Sequence, residues 1–208
     1  MFLRYTQAKM TAKWGPMGWM MLHSVSACYP HAPSAEDMQK AEQFINDFAF
    51  SITCVHCREH FSKMVLTYKQ AVPSWKNSKY DFFIMCCRLH NSVNKRIDKP
   101  TAKTVFQCIQ TLKNATTYTS QTEFRNKYIE YLFRDWNYFG RGQAIQIPAL
   151  ASINRLKKQN DEYWSSRETS YDTLTFPETD VLSFPNEPVV SKLVFPRLKM
   201  KNVKWSPT

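Results

Sequence analysis

Apolar side chains recur three or four residues apart through most of the first half of this chain, and prolines interrupt the pattern. Met38, Ala41, Ile45, Phe48 and Ile52 form one such stripe, and Phe82, Met85, Leu89 and Val93 form another. That period places each set on one face of an α-helix, and such a face is stable only when packed against others like it. Trp19, Leu22, His23 and Ser26 share a face between residue 14 and about residue 28. Pro30, Pro33, Pro73 and Pro100 stand where helices must end. Ser34 with Asp37 reads as the cap of a second helix. A third is expected from Cys54 or Cys57 to about Lys69, a fourth from about Ser78 to Ile97, and a short fifth from Thr101 to Leu112. The first half is therefore all-α.

With 43% apolar residues among 208, the chain is no disordered tail. No apolar run reaches the ~18 to 20 residues that cross a bilayer, and the opening MFLRYTQAKMTAK carries neither a secretory core nor a transit composition. The expectation is no membrane attachment. The net charge of +11 lies mostly in residues 1–115, which hold 15 basic and 7 acidic side chains. Basic residues there are not interleaved with aromatics, which argues against nucleic acid and for a solvated surface able to attract acidic partners or an anionic cofactor.

All six cysteines, at 28, 54, 57, 86, 87 and 108, precede residue 109. That break in composition marks a boundary near residue 115. Beyond it, Ser120 and Glu123 form a capping pattern ahead of Phe124, Tyr128, Leu132 and Trp136, and Pro148 to about Trp164 suits one more helix. Gly140 and Gly142 read as a hinge. The expected division is residues 1–115, a helical extension over 116–170, and an extended Phe-Pro-rich basic arm over 171–208. The first part should fold without residues 143–208. The arm repeats Phe-Pro at 176, 184 and 195 and ends in the acid-free KLVFPRLKMKNVKW, so it is expected to lie on an acidic protein surface.

The stretch FSITCVHCREHF places Cys54 and Cys57 two residues apart, flanked by His56 and His60. Cys54, Cys57 and His60, completed by Cys86 or Cys87, have zinc-like spacing, yet a bundle with full apolar stripes needs no metal to fold. No strand-like alternation precedes Cys54, so a thioredoxin-like setting is excluded. A Cys-x-x-Cys opening a helix remains a plausible redox pair, because the helix N-terminus favours a thiolate. Such a dithiol must send two electrons to an acceptor.

Three motifs resemble the Erv/ALR family of flavin-linked sulfhydryl oxidases. WGPMGWMMLHSVSACYP supplies the family's Trp19, His23, Tyr29 and Pro30; FSITCVHCREHF resembles its redox pair; CRLHNSVNKRIDKP matches its Cys-x-x-His-Asn-x-Val-Asn and Lys-Pro. The resemblance covers roughly residues 11–110. It implies a four-helix bundle plus a short fifth helix holding FAD, usually as a homodimer, that oxidises protein thiols with oxygen and releases hydrogen peroxide. It implies catalytic roles for Cys54, as the thiol exchanging with substrate, and for Cys57, beside the flavin. The implied cofactor contacts are Trp14, Gly15, Trp19, His23, Tyr29, His90, Asn91, Val93, Asn94, Lys95 and Lys99, with no metal. It also implies a structural disulfide between Cys87 and Cys108. Cys86 is expected to be a buried free thiol, while Cys28 is left without a role.

No tail cysteine pair is expected, as in minimal oxidases of large DNA viruses, which points to the cytoplasm of an infected cell or a virion. Two competing readings remain open from sequence: a structural or docking protein that retains the bundle and works through its arm, and a zinc-clipped helical adaptor.

Overall fold

The computed structural model describes residues 2–115 and 120–181, with side chains at 14–114 and 120–181. Helix α1 runs Phe2–Cys28, α2 Ala35–Ser51, α3 Val55–Ala71, α4 Lys79–Arg96 and α5 Val105–Ala115. Helices α6 (Gln121–Phe139) and α7 (Gln146–Gln159) follow. A π-helical turn, Asn160–Trp164, and short 3₁₀ turns at Ser165–Arg167 and Tyr171–Thr173 end the helical part. The fold is all-α. Helix α1 begins earlier than the sequence pattern suggested and carries Pro16 inside it.

Local chemistry sets the boundaries. Ser34 and Asp37 form a reciprocal capping box at the start of α2, and Ser78 and Ser120 cap α4 and α6 with their hydroxyls. The α4 terminus closes as a Schellman turn: Lys99 N–H donates to the Asn94 carbonyl at 2.9 Å and Asp98 N–H to that of Lys95 at 3.4 Å. Asp98 takes the left-handed conformation this requires, at φ 56°.

One core joins α1 to α4 with α6 and α7. Phe44, Phe48 and Phe61 pack in it with Tyr128, Leu132, Trp136, Ile153 and Trp164. The composition break at residue 115 therefore does not separate two cores. α6 lies along α1, and α7 along α2. Arg155 on α7 donates to both carboxylate oxygens of the buried Asp47 on α2, each at 3.0 Å from Nε. Nor do the two glycines behave as a hinge. Gly140 is pressed on the Trp136 ring, where a Cβ would clash, and Gly142 at φ 79° makes the tight turn into α7.

A second cluster lies under α5, where Phe83, Ile84, Cys87, Val105, Ile109 and Leu112 meet Tyr171, Leu174 and Val181. Phe176, from the first Phe-Pro pair, packs on Phe83 at 5.1 Å and Tyr80 at 5.6 Å. Thr104 and Asp180 pair as an antiparallel bridge. As far as residue 181, then, the surface on which the arm lies is its own bundle. The later Phe-Pro pairs and the basic end, expected to dock on an acidic surface, fall outside the described residues.

Candidate active site

Cys54 is the N-cap of α3, and its sulfur accepts the backbone N–H of Cys57 at 3.2 Å. The two cysteines form a disulfide with their Cα atoms 5.2 Å apart. Both are nearly buried, at 6% and 7% exposure, yet they open in different directions. Cys54 lines a groove of about 460 Å³ between the α2–α3 turn and α6, with Thr53, Val55, Tyr131, Asp135 and Phe139. Cys57 lines a small cavity with His60, Phe61, Val93, Arg96 and Ile97. Trp14 forms a wall of both.

Ile97 links the Cys57 cavity to a larger one of about 350 Å³ between α1, α4 and α5. Here the structure brings together Gly15, Trp19, His23, His90, Asn91, Asn94 and Lys99, seven of the residues expected to contact a cofactor. The Trp19 indole stacks on the His90 ring at 4.4 Å and 10°. His23 Nε2 and His90 Nδ1 are 3.1 Å apart. Burial, then the neighbouring His90, holds His23 well below the usual imidazole range; burial, then Lys99, lowers His90 to about 4. Both rings are neutral at pH 7. The Asn91 amide is engaged by backbone: it donates to the carbonyls of Ala102 and Val181, and accepts from Ala102 N–H at 3.0 Å. Asn94 donates to the Pro100 carbonyl. These two asparagines shape the cavity rim by holding the α4–α5 connection.

The donor set fits a flavin nucleotide. The walls are flat and aromatic, Lys99 is exposed at the mouth, and His23 Nδ1 is buried without a hydrogen-bond partner among the described residues.

The remaining expected contacts lie elsewhere. Val93 and Trp14 face the Cys57 cavity instead of the larger one. Lys95 is exposed and does not line either cavity. Tyr29 is ten residues beyond Trp19, about 15 Å along the helix direction; its hydroxyl donates to the Lys76 carbonyl and its ring packs edge-on to Phe82. It anchors the α1–α2 turn. The disulfide expected between Cys87 and Cys108 is not formed. Both are buried free thiols, in contact with each other, and burial together with Cys108 holds the Cys87 thiol well above its usual range. Cys86 is likewise a buried thiol, pushed up to about 12 by burial. Cys28 donates to Gln121 Oε1 at 3.4 Å.

Sequence reasoning gave His60 no assigned role and, though it expected the α6 helix, did not connect it to the redox pair. Burial, then Arg96 and Lys63, lowers His60 to about 4, so a neutral imidazole faces the Cys57 cavity. From α6, Trp136 Nε1 donates to the Ser51 carbonyl at 2.7 Å, Asp135 accepts the Thr53 hydroxyl, and the Trp136 ring faces Arg58 at 5.7 Å. Arg58 in turn donates to the Ile52 carbonyl at 2.9 Å. The turn carrying Cys54 is thus held from both sides. A periodic stripe reports that α6 is amphipathic, but nothing in it names the turn that α6 clamps. No group of three or more His, Cys, Asp or Glu side chains among the described residues could hold a metal ion.

Residues 16–117 match the model of the Erv1/Alr family. An FAD-linked sulfhydryl oxidase of African swine fever virus is 34% identical over 86 residues, covering 41% of this chain and 69% of the viral protein. The mitochondrial FAD-linked sulfhydryl oxidase ERV1 of Saccharomyces cerevisiae is 33% identical over 86 residues, 41% of this chain and 43% of its own length. The rice FAD-linked sulfhydryl oxidase ERV1 is 29% identical over 94 residues, 45% of this chain and 44% of its own. No solved structure matches significantly. The matched span holds the redox pair and every residue lining the larger cavity except Pro16's neighbour Gly15. With a relative more than 30% identical across over two thirds of that relative's length, the chain belongs to the Erv1/Alr family.

Proposed function

We propose that the protein is an FAD-linked thiol oxidase that makes disulfide bonds in protein substrates. The observation that carries this reading is the Cys54–Cys57 disulfide at the head of α3, one sulfur opening on a surface groove and the other toward an aromatic-walled cavity. That arrangement suits a relay better than a structural staple, since a staple needs no access at either end.

The chemistry follows from the positions. A substrate thiolate in the groove attacks Cys54 Sγ; the Cys54–Cys57 bond breaks and Cys57 leaves as a thiolate. The positive end of the α3 dipole stabilises that negative charge. A second substrate thiol, deprotonated, attacks the mixed disulfide at the substrate sulfur. Cys54 is released, and the substrate carries a new disulfide. The pair is then a dithiol holding two electrons. Trp19, His23, His90 and Lys99 would hold the flavin, which supplies the two-electron acceptor chemistry and passes electrons on to oxygen, giving hydrogen peroxide. His60 lines the Cys57 side as a neutral imidazole.

Homodimerisation and a role for the basic arm in docking on an acidic partner are part of the same proposal, as is work in the cytoplasm of an infected cell or a virion. They rest on the family membership, the viral relative and the charge of the arm. No helix among the described residues is long and apolar enough to cross a membrane.

The test is direct. Purified protein should absorb near ~450 nm, consume oxygen with dithiothreitol, and release hydrogen peroxide. A colourless protein that leaves dithiothreitol reduced would reject the reading in favour of a structural or docking role.

A further inference from the structure

The cavity between α1, α4 and α5 has one wall that is held from outside the family-matched span. Lys99, Pro100 and Ala102 on the α4–α5 connection and Cys108, Thr111 and Leu112 on α5 form that wall. Helix α5 has eleven residues, too few to stand without packing. Part of its packing comes from Tyr171, Leu174 and Val181, well past residue 117, where the family match ends. The end of this strap is stitched to the connection. Thr104 and Asp180 pair as an antiparallel bridge; Val181 N–H donates to the Lys103 carbonyl at 3.0 Å and Val105 N–H to that of Thr179 at 3.1 Å. Tyr80 on α4 bonds the Thr179 hydroxyl. One side chain spans rim and strap together: the buried Asn91 amide donates to the Ala102 carbonyl at 2.7 Å and to the Val181 carbonyl at 2.9 Å. A second route runs through rings. Phe176 packs on Phe83, and Phe83 meets the ring of His23, a cavity residue, at 5.9 Å.

We propose that residues 174–181 are a latch on the flavin cavity. Fastened to residues 103–105 and to Asn91, they hold α5 and the α4–α5 connection closed over bound FAD; unfastened, they let that wall yield and the FAD leave. This rests on the flavin reading of the cavity given above. Helices α1 and α4 are anchored in the main core and cannot move aside without disrupting it. Helix α5 belongs to the smaller cluster, so it is the wall that can open locally. The latch residues are positioning residues: none of the strap's described residues lines the cavity, and they act through Asn91, Phe83 and the connection. Coupling of this kind is reciprocal, so bound FAD fastens the latch as much as the latch retains FAD.

The experiment follows FAD release from the loaded full chain by the rise in flavin fluorescence after dilution. Phe176→Ser removes the ring that seats the strap and leaves every cavity-lining residue in place. FAD should then leave about fivefold faster or more, the lower range of coupling between two sites. Thr104→Cys with Asp180→Cys tests the opposite direction. The two positions face each other as a non-hydrogen-bonded antiparallel pair, close enough for a disulfide. Closed by oxidised glutathione and mapped by mass spectrometry, the crosslink should slow release by a similar factor relative to the same protein reduced. Wild type treated alike corrects for reductant acting on Cys54–Cys57. In the wild type, FAD should slow hydrogen exchange at the Val181 amide. Circular dichroism shows that each variant is folded, and the crosslink keeps the test decisive if Phe176→Ser is not. Equal release rates with the crosslink open and closed would overturn the latch, as would a folded Phe176→Ser protein that releases FAD at the wild-type rate. A wild type that takes up no FAD would reject the flavin reading and the latch with it. Turnover of dithiothreitol is not the readout, so the oxidase reading stands or falls separately.

Discussion

Trp136 on α6 donates its buried indole N–H to the carbonyl of Ser51, the last residue of α2, three positions ahead of Cys54. Replacing Trp136 by Phe keeps most of the ring packing but leaves that carbonyl unpaired inside the protein, which costs about 1–3 kcal/mol. Urea unfolding should show the loss, and dithiothreitol turnover should slow because the turn carrying Cys54 loosens. Unchanged stability and turnover would remove α6 from any role in positioning the pair.

Deleting residues 143–208 removes α7 and the turn after it. Phe44, Ile45 and Phe48 on α2 then lose Ala149, Ile153, Leu156 and Trp164 as neighbours, each large apolar group forfeiting about 2 kcal/mol. Asp47 also loses Arg155. The truncated chain should be aggregated or unfolded, against the expectation from composition that the first part stands alone. A soluble, monodisperse truncation with native helicity would restore that expectation.

Cys54→Ser and Cys57→Ser should each abolish dithiol oxidation, because neither sulfur can take the other's place on its side of the disulfide. Both variants should still bind flavin, since neither cysteine lines the larger cavity. Full turnover by either variant would sink the relay.

His23, His60 and His90 are all held below the ordinary imidazole value, mainly by burial, the last two to about 4. In the unfolded chain they titrate near 6.5. Between about pH 6.5 and 4 the unfolded state therefore binds more protons than the folded one, and stability falls as pH is lowered. Denaturant midpoints of the flavin-free protein should drop through that window. His60→Asn should flatten the slope; an unaltered slope would mean His60 is not held neutral.

Asp98 sits at φ 56° to close α4 and aim Lys99 at the cavity mouth. Asp98→Val should destabilise the protein by about 1–2 kcal/mol, the cost of a branched residue in the left-handed region. Asp98→Gly should not. Thermal unfolding of the pair separates this backbone effect from loss of the carboxylate, which both variants share.

The helices of the first half were readable because each stripe and cap is a local property: Ser34 with Asp37, Ser78 ahead of Phe82, Pro100 after Lys99. The convergence of Trp19, His23 and His90 was readable only through three motifs taken together, since a single Trp or His on an apolar face says nothing of its neighbours. What could not be read was partnership. The stripe through Tyr128, Leu132 and Trp136 announces burial without saying that α1 and the α2–α3 turn are what it buries against. Phe176 looked fit to bind something, and its target is Phe83 in the same chain. Tyr29 carried a family motif but does not line the cavity; it ties the end of α1 to Lys76.

Trp14 walls both the groove at Cys54 and the cavity at Cys57. Its consequence is insulation. A body of any size pressed against one sulfur is walled from the other by an indole, so the S–S bond itself is what joins the two sides. The two sides also draw on different stretches of the chain, the inner one lying wholly before residue 117 and the outer one taking one of its walls from beyond it. Drift in the second stretch can reshape the groove at Cys54 while leaving the lining of the cavity at Cys57 as it is.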